Sequence, residues 1–441
     1  MPLTLKNFLV LIFCGFALSI TAQDVPAPTF NSPFSRFGVG DQTPFAYSAQ
    51  LGIGGIGQAY NHSHIASPSN PAALGALRYT SYQVGIGFDR TKLAQGGIEN
   101  TNSSGNLQNL SLAFPLQNSL NEVLDGKESK FRQGMMLALA PYSNVGYNIQ
   151  LDSEEQGLGN IRSTYLGSGG YYRLQFGTGV EYDRRARIGA NISYIFGRTN
   201  NQTEVVVLDQ PGASLLTNTE AFRGRGVEAQ LGAQYDFVLR TNEDGVRKRV
   251  LTVGASTVFG ANVNGDASRS IIRTNQFNLV DTVFSADDQS QEVELPTRLS
   301  FGAYYRIINK FGVGFDVERI GWQGFTNSLR PSETLEDVVN LRAGVEWTPN
   351  AKAFGKYWNQ VQYRAGGYMN QDPRPGVDSE TGVTFGLGLP IVLPREEVSY
   401  VNLSLNAGRF NTTSDITQRY VRLVVGFTLT DNTWFYKRRF N

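Results

Sequence analysis

The chain contains very little cysteine and histidine for its length, with one cysteine and two histidines among 441 residues. Disulfide frameworks, thiolate metal sites and histidine-rich catalytic sites all need more of these residues. Positive and negative charges nearly cancel, since Lys+Arg number 39 and Asp+Glu 38. Because no basic field is present to hold a phosphate backbone, we do not expect a nucleic acid as a partner.

Long apolar runs are also missing, except near the start of the chain. Residues 8–20 are mostly apolar, follow Lys6 and lead to small residues at Thr21 and Ala22. A membrane anchor is the alternative, but this run is shorter than the roughly 18–20 residues that span a bilayer as a helix. The pattern predicts a secretory signal peptide over residues 1–22, removed on export, so that the mature chain contains no cysteine.

Alternation of apolar and polar residues runs through the rest of the chain. Clear examples start at Tyr82, Ile188 and Val227, where every second residue is apolar over four or more positions. Such period-two patterns predict β-strands with one apolar face, roughly 14–16 of them. Two all-β architectures fit these strands: a secreted sandwich and an outer-membrane barrel.

The spacing of the strands favours the barrel over the sandwich. Each strand with its connection takes up about 26 residues, against a turn every ~8–12 residues in sandwiches. The fold class expected for residues 78–441 is therefore all-β, a transmembrane antiparallel β-barrel of about 14 strands. Long polar stretches are expected to be external loops, namely Thr91–Gln108, Asp152–Arg162 and Gly260–Glu294.

Residues 23–77 differ from the barrel region because they are rich in proline and glycine and show little alternation. A disordered linker would not need their apolar side chains. We therefore expect an N-terminal hatch, or plug, inside the barrel. Five of these side chains are candidates to line a ligand path, although packing alone also explains them: Phe34, Phe37, Leu51, Ile53 and Ile56.

Two motifs in the hatch could carry chemistry. Residues 52–57 match G-x-G-x-x-G, but no strand precedes them and no helical pattern follows, so close packing against the barrel wall explains the glycines better than a dinucleotide site does. His62 and His64 could ligate zinc or copper, yet no further ligands are visible nearby. We expect no catalytic residues, no metal and no cofactor, and hence no enzyme.

The segment Ser69-Asn70-Pro71-Ala72-Ala73-Leu74, just before the first strand, resembles the FadL/TodX family of outer-membrane transporters for hydrophobic compounds. The stretches Leu295–Gly302 and Leu341–Pro349 agree with that family in order and kind. The resemblance implies a 14-stranded barrel whose hatch ends at the motif Asn70, Pro71, Ala72. Residues 31–38 and 434–441 look like a Bacteroidota-type branch, some of whose members are thought to be subunits of larger outer-membrane machines.

The resemblance implies passive uptake of a hydrophobic small molecule, a long-chain fatty acid or similar, at the outer membrane of a Gram-negative bacterium, with outer-membrane lipids as neighbours. The molecule would pass the hatch and leave through a lateral opening in the wall. Pro141 in the third strand lacks an amide donor, which favours an edge, a bulge or a kink there. The proposed opening comprises Pro141, Tyr142, Ser143, Asn144 and Gly146 and is expected to lie against Asn70–Ala72. The alternative is a structural or accessory subunit of an outer-membrane secretion or assembly complex, with other outer-membrane or periplasmic proteins as partners.

Overall fold

The computed structural model describes residues 32–432 and 434, apart from 119–120, 123–125, 127–128, 158, 244, 328–333, 354, 393–397 and 414. The signal peptide expected at residues 1–22 and the start of the expected hatch lie outside this part. Sixteen long strands make up most of the described chain. They are β1 Thr80–Gln95, β2 Ile98–Pro115, β3 Phe131–Glu155, β4 Gly159–Tyr182, β5 Ala186–Val207, β6 Leu215–Thr241, β7 Arg247–Val258, β8 Ala261–Thr274, β9 Val280–Leu295, β10 Thr297–Ile307, β11 Phe311–Gly321, β12 Val338–Trp347, β13 Gln362–Gln371, β14 Val377–Val392, β15 Val398–Thr412 and β16 Thr417–Asp431.

The strands form one closed antiparallel barrel. The last strand pairs with the first, from Thr417 opposite Ala94 to Asp431 opposite Thr80. β7 and β8 act as one interrupted strand, since both pair with β6, and β9 and β10 act as another, since they pair with β8 and β7. The second interruption falls at Pro296, which has no amide to donate. Counted in this way the wall has fourteen strands, which confirms the predicted fold class.

The two faces of the wall differ as the alternation predicted. Large apolar side chains are exposed on the outer face, for example Phe176, Ile192, Phe301 and Phe385. The residues next to them in sequence, such as Gln175, Asn191, Ser193 and Thr384, are buried on the inner face. This outer band is the surface that a β-barrel presents to hydrocarbon.

The described residues contain no helix with the length and apolar character needed to cross a bilayer.

Several strands continue past the apolar band as a polar sheet, which we call the outer sheet. It consists of residues 146–155 of β3, 159–171 of β4, 197–207 of β5, 215–226 of β6, β8 and β9. The prediction that Thr91–Gln108, Asp152–Arg162 and Gly260–Glu294 form external loops is wrong, since each is mostly strand with a short turn. Strands in water can be polar on both faces, so they lose the alternation by which membrane strands are recognised.

Residues 32–78, which we call the inner segment, lie inside the ring of strands. Their close neighbours change from β4 at Gly75 to β6 at Asn70, β7 at Gln58, β12 at Ile53, β14 at Gly52 and β16 at Ser48. The inner segment contains only short elements: 3-10 helices Pro33–Arg36 and Pro71–Ala76, a two-residue strand Asp41–Gln42 and α1 Ser48–Leu51. The connections of the barrel carry a 3-10 helix Trp322–Gly324 and α2 Tyr357–Gln360.

Candidate functional site

A cavity of about 180 Å³, here called the outer cavity, lies between the inner segment and strands β10–β16. Its apolar lining comes from both partners: Phe37, Val39 and Leu51 of the inner segment, and Ile320, Trp322, Leu335, Val338 and Phe410 of the wall and its connections. The rest of the lining is charged or polar. The outer cavity therefore suits a molecule that has an apolar body and a polar end.

The charges that line the outer cavity are mostly paired. Arg342 Nη2 lies 2.8 Å from Glu318 Oε2, and Arg422 bonds Asp89. Arg374, in the connection between β13 and β14, bonds Asp41 of the inner segment. Burial alone would lower the pKa of Arg374, but the negative charge of Asp41 helps to raise it above its ordinary value. The buried Nε of Arg298 has no hydrogen-bond partner among the described residues. An acceptor group on a bound molecule would satisfy this donor.

The five candidate ligand-path residues separate into two groups. Phe37 and Leu51 line the outer cavity, and Phe34 packs on the cavity residue Phe410 with ring centroids 6.1 Å apart. Ile53 and Ile56 instead belong to a closely packed cluster with Tyr60 and Tyr304 and are at most 1% exposed. The structure thus brings three of the five to the cavity region and places the other two in packing contacts.

The wall has a gap between β2 and β3. These strands pair only from Leu110 opposite Leu139 to Pro115 opposite Gly134. Beyond this ladder β2 continues to pair with β1, and β3 with β4, without pairing to each other in the described part of the chain. We call this separation the wall gap. It begins at Ala140, one residue before Pro141.

The proposed opening residues lie along the wall gap, on a bulged part of β3. A register shift between Pro141 and Ser143 leaves Tyr142 as the extra residue of a β-bulge. Along this stretch the edge of β3 no longer pairs with β2 and pairs with the inner segment instead. Asp41 and Gln42 lie opposite Asn144 and Ser143. Ser32 N–H donates to Gly146 O at 2.8 Å, and Thr43 N–H donates to Tyr142 O at 3.0 Å. The contacts that hold this stretch therefore come from Ser32–Thr43, not from the expected Asn70–Ala72.

Tyr142 connects the wall gap to the outer cavity. Its side chain is almost fully buried, and its hydroxyl accepts a hydrogen bond of 3.0 Å from Nη2 of Arg298, a residue of β10 that lines the cavity. The ring also lies under the Arg173 guanidinium, 5.1 Å from the centroid. One aromatic side chain of the bulge thus contacts a residue that lines the cavity.

The motif Asn70, Pro71, Ala72 fixes the end of the inner segment against the wall. Asn70 Nδ2 donates to Gln58 O, Ala233 O and Ala255 O, while its Oδ1 accepts from Ala72 N–H. Pro71 opens the 3-10 helix and packs on wall glycines, where a Cβ at Gly179 or Gly189 would collide with it. This motif therefore anchors the inner segment to strands β4–β7.

Buried charges hold the middle of the inner segment. Asp316 Oδ2 accepts from Gly57 N–H at 2.6 Å and Gln58 N–H at 2.9 Å. Glu346 Oε2 lies 2.8 Å from Arg364 Nε and accepts from Tyr60 OH at 3.1 Å. Such contacts are strong only when both partners stay in place, because a buried charge left alone is costly.

The glycines of residues 52–57 serve packing, as the sequence reading favoured. Gly54 has a φ of +79°, which an L side chain rarely adopts, and a Cβ there would meet the wall backbone at Ala343 and Gly367. On the wall side, Gly344 gives the same room to Ile53. Backbone approaches backbone here without space for a bound nucleotide.

His62 and His64 lie at the opposite end of the barrel from the outer cavity, beside an inner pocket of about 450 Å³. His64 stacks on Tyr400 at 4.8 Å, and His62 Nε2 lies 3.6 Å from Glu346 Oε1. Burial lowers the pKa of His62 to about 4 and that of His64 to about 3. Among the described residues, no group of three or more His, Cys, Asp or Glu side chains is placed to hold a metal.

Sequence reasoning missed the charged residues that face the interior. Asp316 and Glu318 alternate with the outward Phe315 and Val317. The residues on the inward face of β11 were therefore the sequence signal that could have identified these charges. Arg298 and Glu346 occupy equivalent inward positions in β10 and β12. Carboxylates and arginines at every second position of a membrane strand indicate a lumen that holds a polar filling.

The whole chain matches a known family, and its fold matches solved channels. The family model described as BamG matches residues 4–441. The Pseudomonas putida toluene transporter TodX has a TM-score of 0.57 and 17% identity, covering 88% of this chain and 99% of its own. The CymD monoaromatic hydrocarbon channel has a TM-score of 0.53 and 15% identity, covering 90% and 99%. A Pseudomonas aeruginosa FadL homologue has a TM-score of 0.54 and 12% identity, covering 88% and 99%.

No curated protein sequence matches the chain. The resemblance to FadL/TodX transporters therefore holds for the fold, while the family that matches in sequence carries a different name.

Proposed function

Given that the chain belongs to the BamG family, we propose that it lies in the outer membrane of a Gram-negative bacterium, exported by a cleaved signal peptide, and lets a hydrophobic small molecule pass without energy coupling. The observation that carries the proposal is the connection from the outer cavity to the wall gap through Tyr142. The solved relatives named for toluene and monoaromatic hydrocarbons share the fold and support the same class of cargo.

The cargo is an amphiphile such as a long-chain fatty acid. Its apolar part would lie against Phe37, Trp322 and Phe410, and its polar end would accept a hydrogen bond from Arg298. At about 180 Å³ the cavity is below the roughly 300 Å³ that ligand pockets usually offer. Entry therefore requires the inner segment to shift, which is the sense in which it acts as a hatch.

The part that shifts is residues 32–46, which we call the gate half. They contact β3 mainly by backbone hydrogen bonds and by a two-residue ladder. Movement of the gate half would uncover the edge of β3 and, with release of Tyr142 from Arg298, open a way to the wall gap. The molecule would leave sideways into the bilayer, so water-filled passage through the barrel axis is not needed.

A disulfide between the gate half and β3 tests this route. Cysteines replacing Asp41 and Asn144, which lie opposite each other in antiparallel register, would lock the two together. We expect oxidised protein in liposomes to lose uptake of a fluorescent fatty acid, and reductant to restore it. A matched pair replacing Gln150 and Thr164, opposite each other in the outer sheet, should leave uptake unchanged. Full uptake by the oxidised Asp41–Asn144 pair would reject the proposed route.

A second role, as a subunit of a larger outer-membrane secretion or assembly complex, is favoured by the way the interior is filled. Residues 48–77 of the inner segment, here the clamped half, are buried and bonded to strands all round the wall. The outer sheet also offers long strand edges beyond the membrane band. A filled lumen leaves little room for cargo, and free strand edges can pair with another chain, so both features fit a scaffold role. Co-extraction of a stoichiometric protein partner without any small molecule would support this role over transport.

A further inference from the structure

The hairpin β8–β9 forms one edge of the outer sheet. β9 pairs with β8 along its length, from Val280 opposite Thr274 to Leu295 opposite Ala261. On its other side, the next wall strand, β11, ends at Gly321. The contacts there in the described part of the chain lie at the base of the hairpin, where Val293 bridges Asn327 and Glu294 N–H donates to Thr326 O. Residues 280–292 are mostly exposed and, within the described part of the chain, form a free strand edge with a row of N–H and C=O groups.

This edge carries exposed apolar side chains beyond the membrane band. Val280 is 65% exposed, Val283 57% and Phe284 45%, and Phe277 and Leu279 in the adjoining turn are exposed as well. In the neighbouring strands the continuous run of outward apolar residues ends at Phe196 and Val227 and is followed on the outer side by Arg198 and Arg225, beyond which the outward face is mostly polar, with Val206, Ala221 and Leu215 as exceptions. Lipid tails would therefore not reach the hairpin tip. An apolar strand edge in water is a surface that another chain can cover.

The charge of β9 indicates what kind of chain fits. It contains five acidic residues and no lysine or arginine: Asp281, Asp287, Asp288, Glu292 and Glu294. Asp281 is paired with Arg273 at 2.6 Å, while Asp287, Asp288 and Glu292 are exposed. A second copy of the same edge would place like charges opposite each other, which disfavours self-pairing. An extended segment rich in lysine or arginine would be attracted.

We propose that the free edge of β9 binds, as an added strand, an extended basic segment of a different protein on the outer side of the membrane. Backbone hydrogen bonds to residues 280–292 would supply the pairing, and Val280, Val283 and Phe284 would contact alternate side chains of the partner. This inference goes beyond the transport proposal and does not depend on it. It gives the proposed role as a subunit of a larger complex a defined binding surface.

Edge protection is the competing explanation. β-bulges and charges are used by proteins to keep an edge strand from pairing, and β9 has register shifts between Thr282 and Phe284 and between Ala286 and Gln289. Under that explanation the edge stays in water in the cell. The two explanations differ in one observable, namely whether a partner segment runs along β9 in register.

Site-specific photo-crosslinking of the full-length protein in its own membrane decides between them. A photoreactive amino acid would replace Val280, Thr282 or Phe284, one at a time, with Ile272 of β8 as the control between two paired strands. We expect crosslinks from the three β9 sites to map, by mass spectrometry, to positions about two residues apart in one basic segment of one other protein. The Ile272 site should give none.

Charge reversal tests the stated chemistry of the partner. Asp287→Lys with Asp288→Lys should lower the crosslink yield from Thr282 at least about fivefold, by repelling a basic segment. The same change at Glu154 and Glu155, exposed at the opposite edge of the outer sheet, should leave it unchanged. Absence of crosslinks, scattered sites without register, a crosslink to a second copy of this chain, or an unaltered yield in the charge-reversed variant would each overturn the proposal.

Discussion

The two halves of the inner segment are held in different ways. The clamped half, residues 48–77, is fixed by buried carboxylates and by backbone packed on wall glycines. The gate half, residues 32–46, is fixed mostly by backbone hydrogen bonds to β3, lines the outer cavity and adds one ion pair, Asp41–Arg374. A conformational change inside this barrel is therefore expected in the gate half: moving the clamped half would leave several buried charges without partners, whereas moving the gate half breaks the Asp41–Arg374 pair and leaves Arg374 bonded to Asp372.

Removal of a wall carboxylate that holds the clamped half should have the largest effect. Glu346→Ala leaves Arg364 buried without its ion pair and removes the acceptor of Tyr60 OH. We expect a loss of about 3–5 kcal/mol in the free energy of unfolding, measured as a shift of the urea midpoint of the folded barrel in lipid.

Glu318→Ala is the matched change on the cavity side. It breaks the pair with Arg342, whose side chain is 19% exposed compared with 1% for Arg364. Water in the cavity can solvate Arg342, so we expect less than half the loss seen for Glu346→Ala. Equal losses would remove the distinction between the clamped half and the cavity side.

Acid should weaken the clamped half through its two histidines. Their pKa values, about 4 for His62 and 3 for His64, lie below the ordinary value of 6.5 because burial disfavours the imidazolium. Between pH 6.5 and these lowered pKa values, the unfolded chain therefore binds more protons than the folded chain. The stability that is present above pH 6.5 is lost as the pH falls through this range. At pH 5 the loss should reach about 2 kcal/mol per histidine.

Urea titrations between pH 7 and pH 5 measure this loss. The double variant His62→Gln and His64→Gln should be less stable at pH 7 but should change much less with pH over this range. A double variant that keeps the full pH dependence of the natural chain would show that other groups are responsible.

The smallest effect on stability is expected at the contact between the gap and the cavity. Tyr142→Phe removes the hydroxyl that accepts from Arg298 and should cost about 1 kcal/mol in stability. Because the contact closes the proposed route, liposome uptake of a fluorescent fatty acid should become faster. Tyr147→Phe removes a hydroxyl bonded to Asn201 in the outer sheet and should leave the rate unchanged. A slower or equal rate for Tyr142→Phe would contradict its role in closing the route.

Sequence alone was enough to predict the barrel, because membrane strands must be apolar on one face and the alternation is then visible. Pro141, where proline removes an amide donor, lies at a β-bulge, and Asn70 is bonded to the wall, while the roles predicted for these residues in an opening and a hatch stay predictions. The partner of the bulge could not be predicted, since Ser32–Thr43 pair with β3 mainly through backbone atoms, which every residue carries. The outer sheet was missed for a related reason: polar strands in water have no required pattern.

Native mass spectrometry of the protein, gently extracted from its own outer membrane, measures directly whether the barrel carries a hydrophobic molecule. We expect a hydrophobic small molecule bound to the barrel, and its loss when Phe37 and Phe410 are both replaced by lysine in the outer cavity. Where a protein partner is bound as well, charge reversal at Asp287 and Asp288 should release it without releasing the small molecule. A stable assembly with other proteins that carries no hydrophobic molecule would contradict transport and leave the scaffold role.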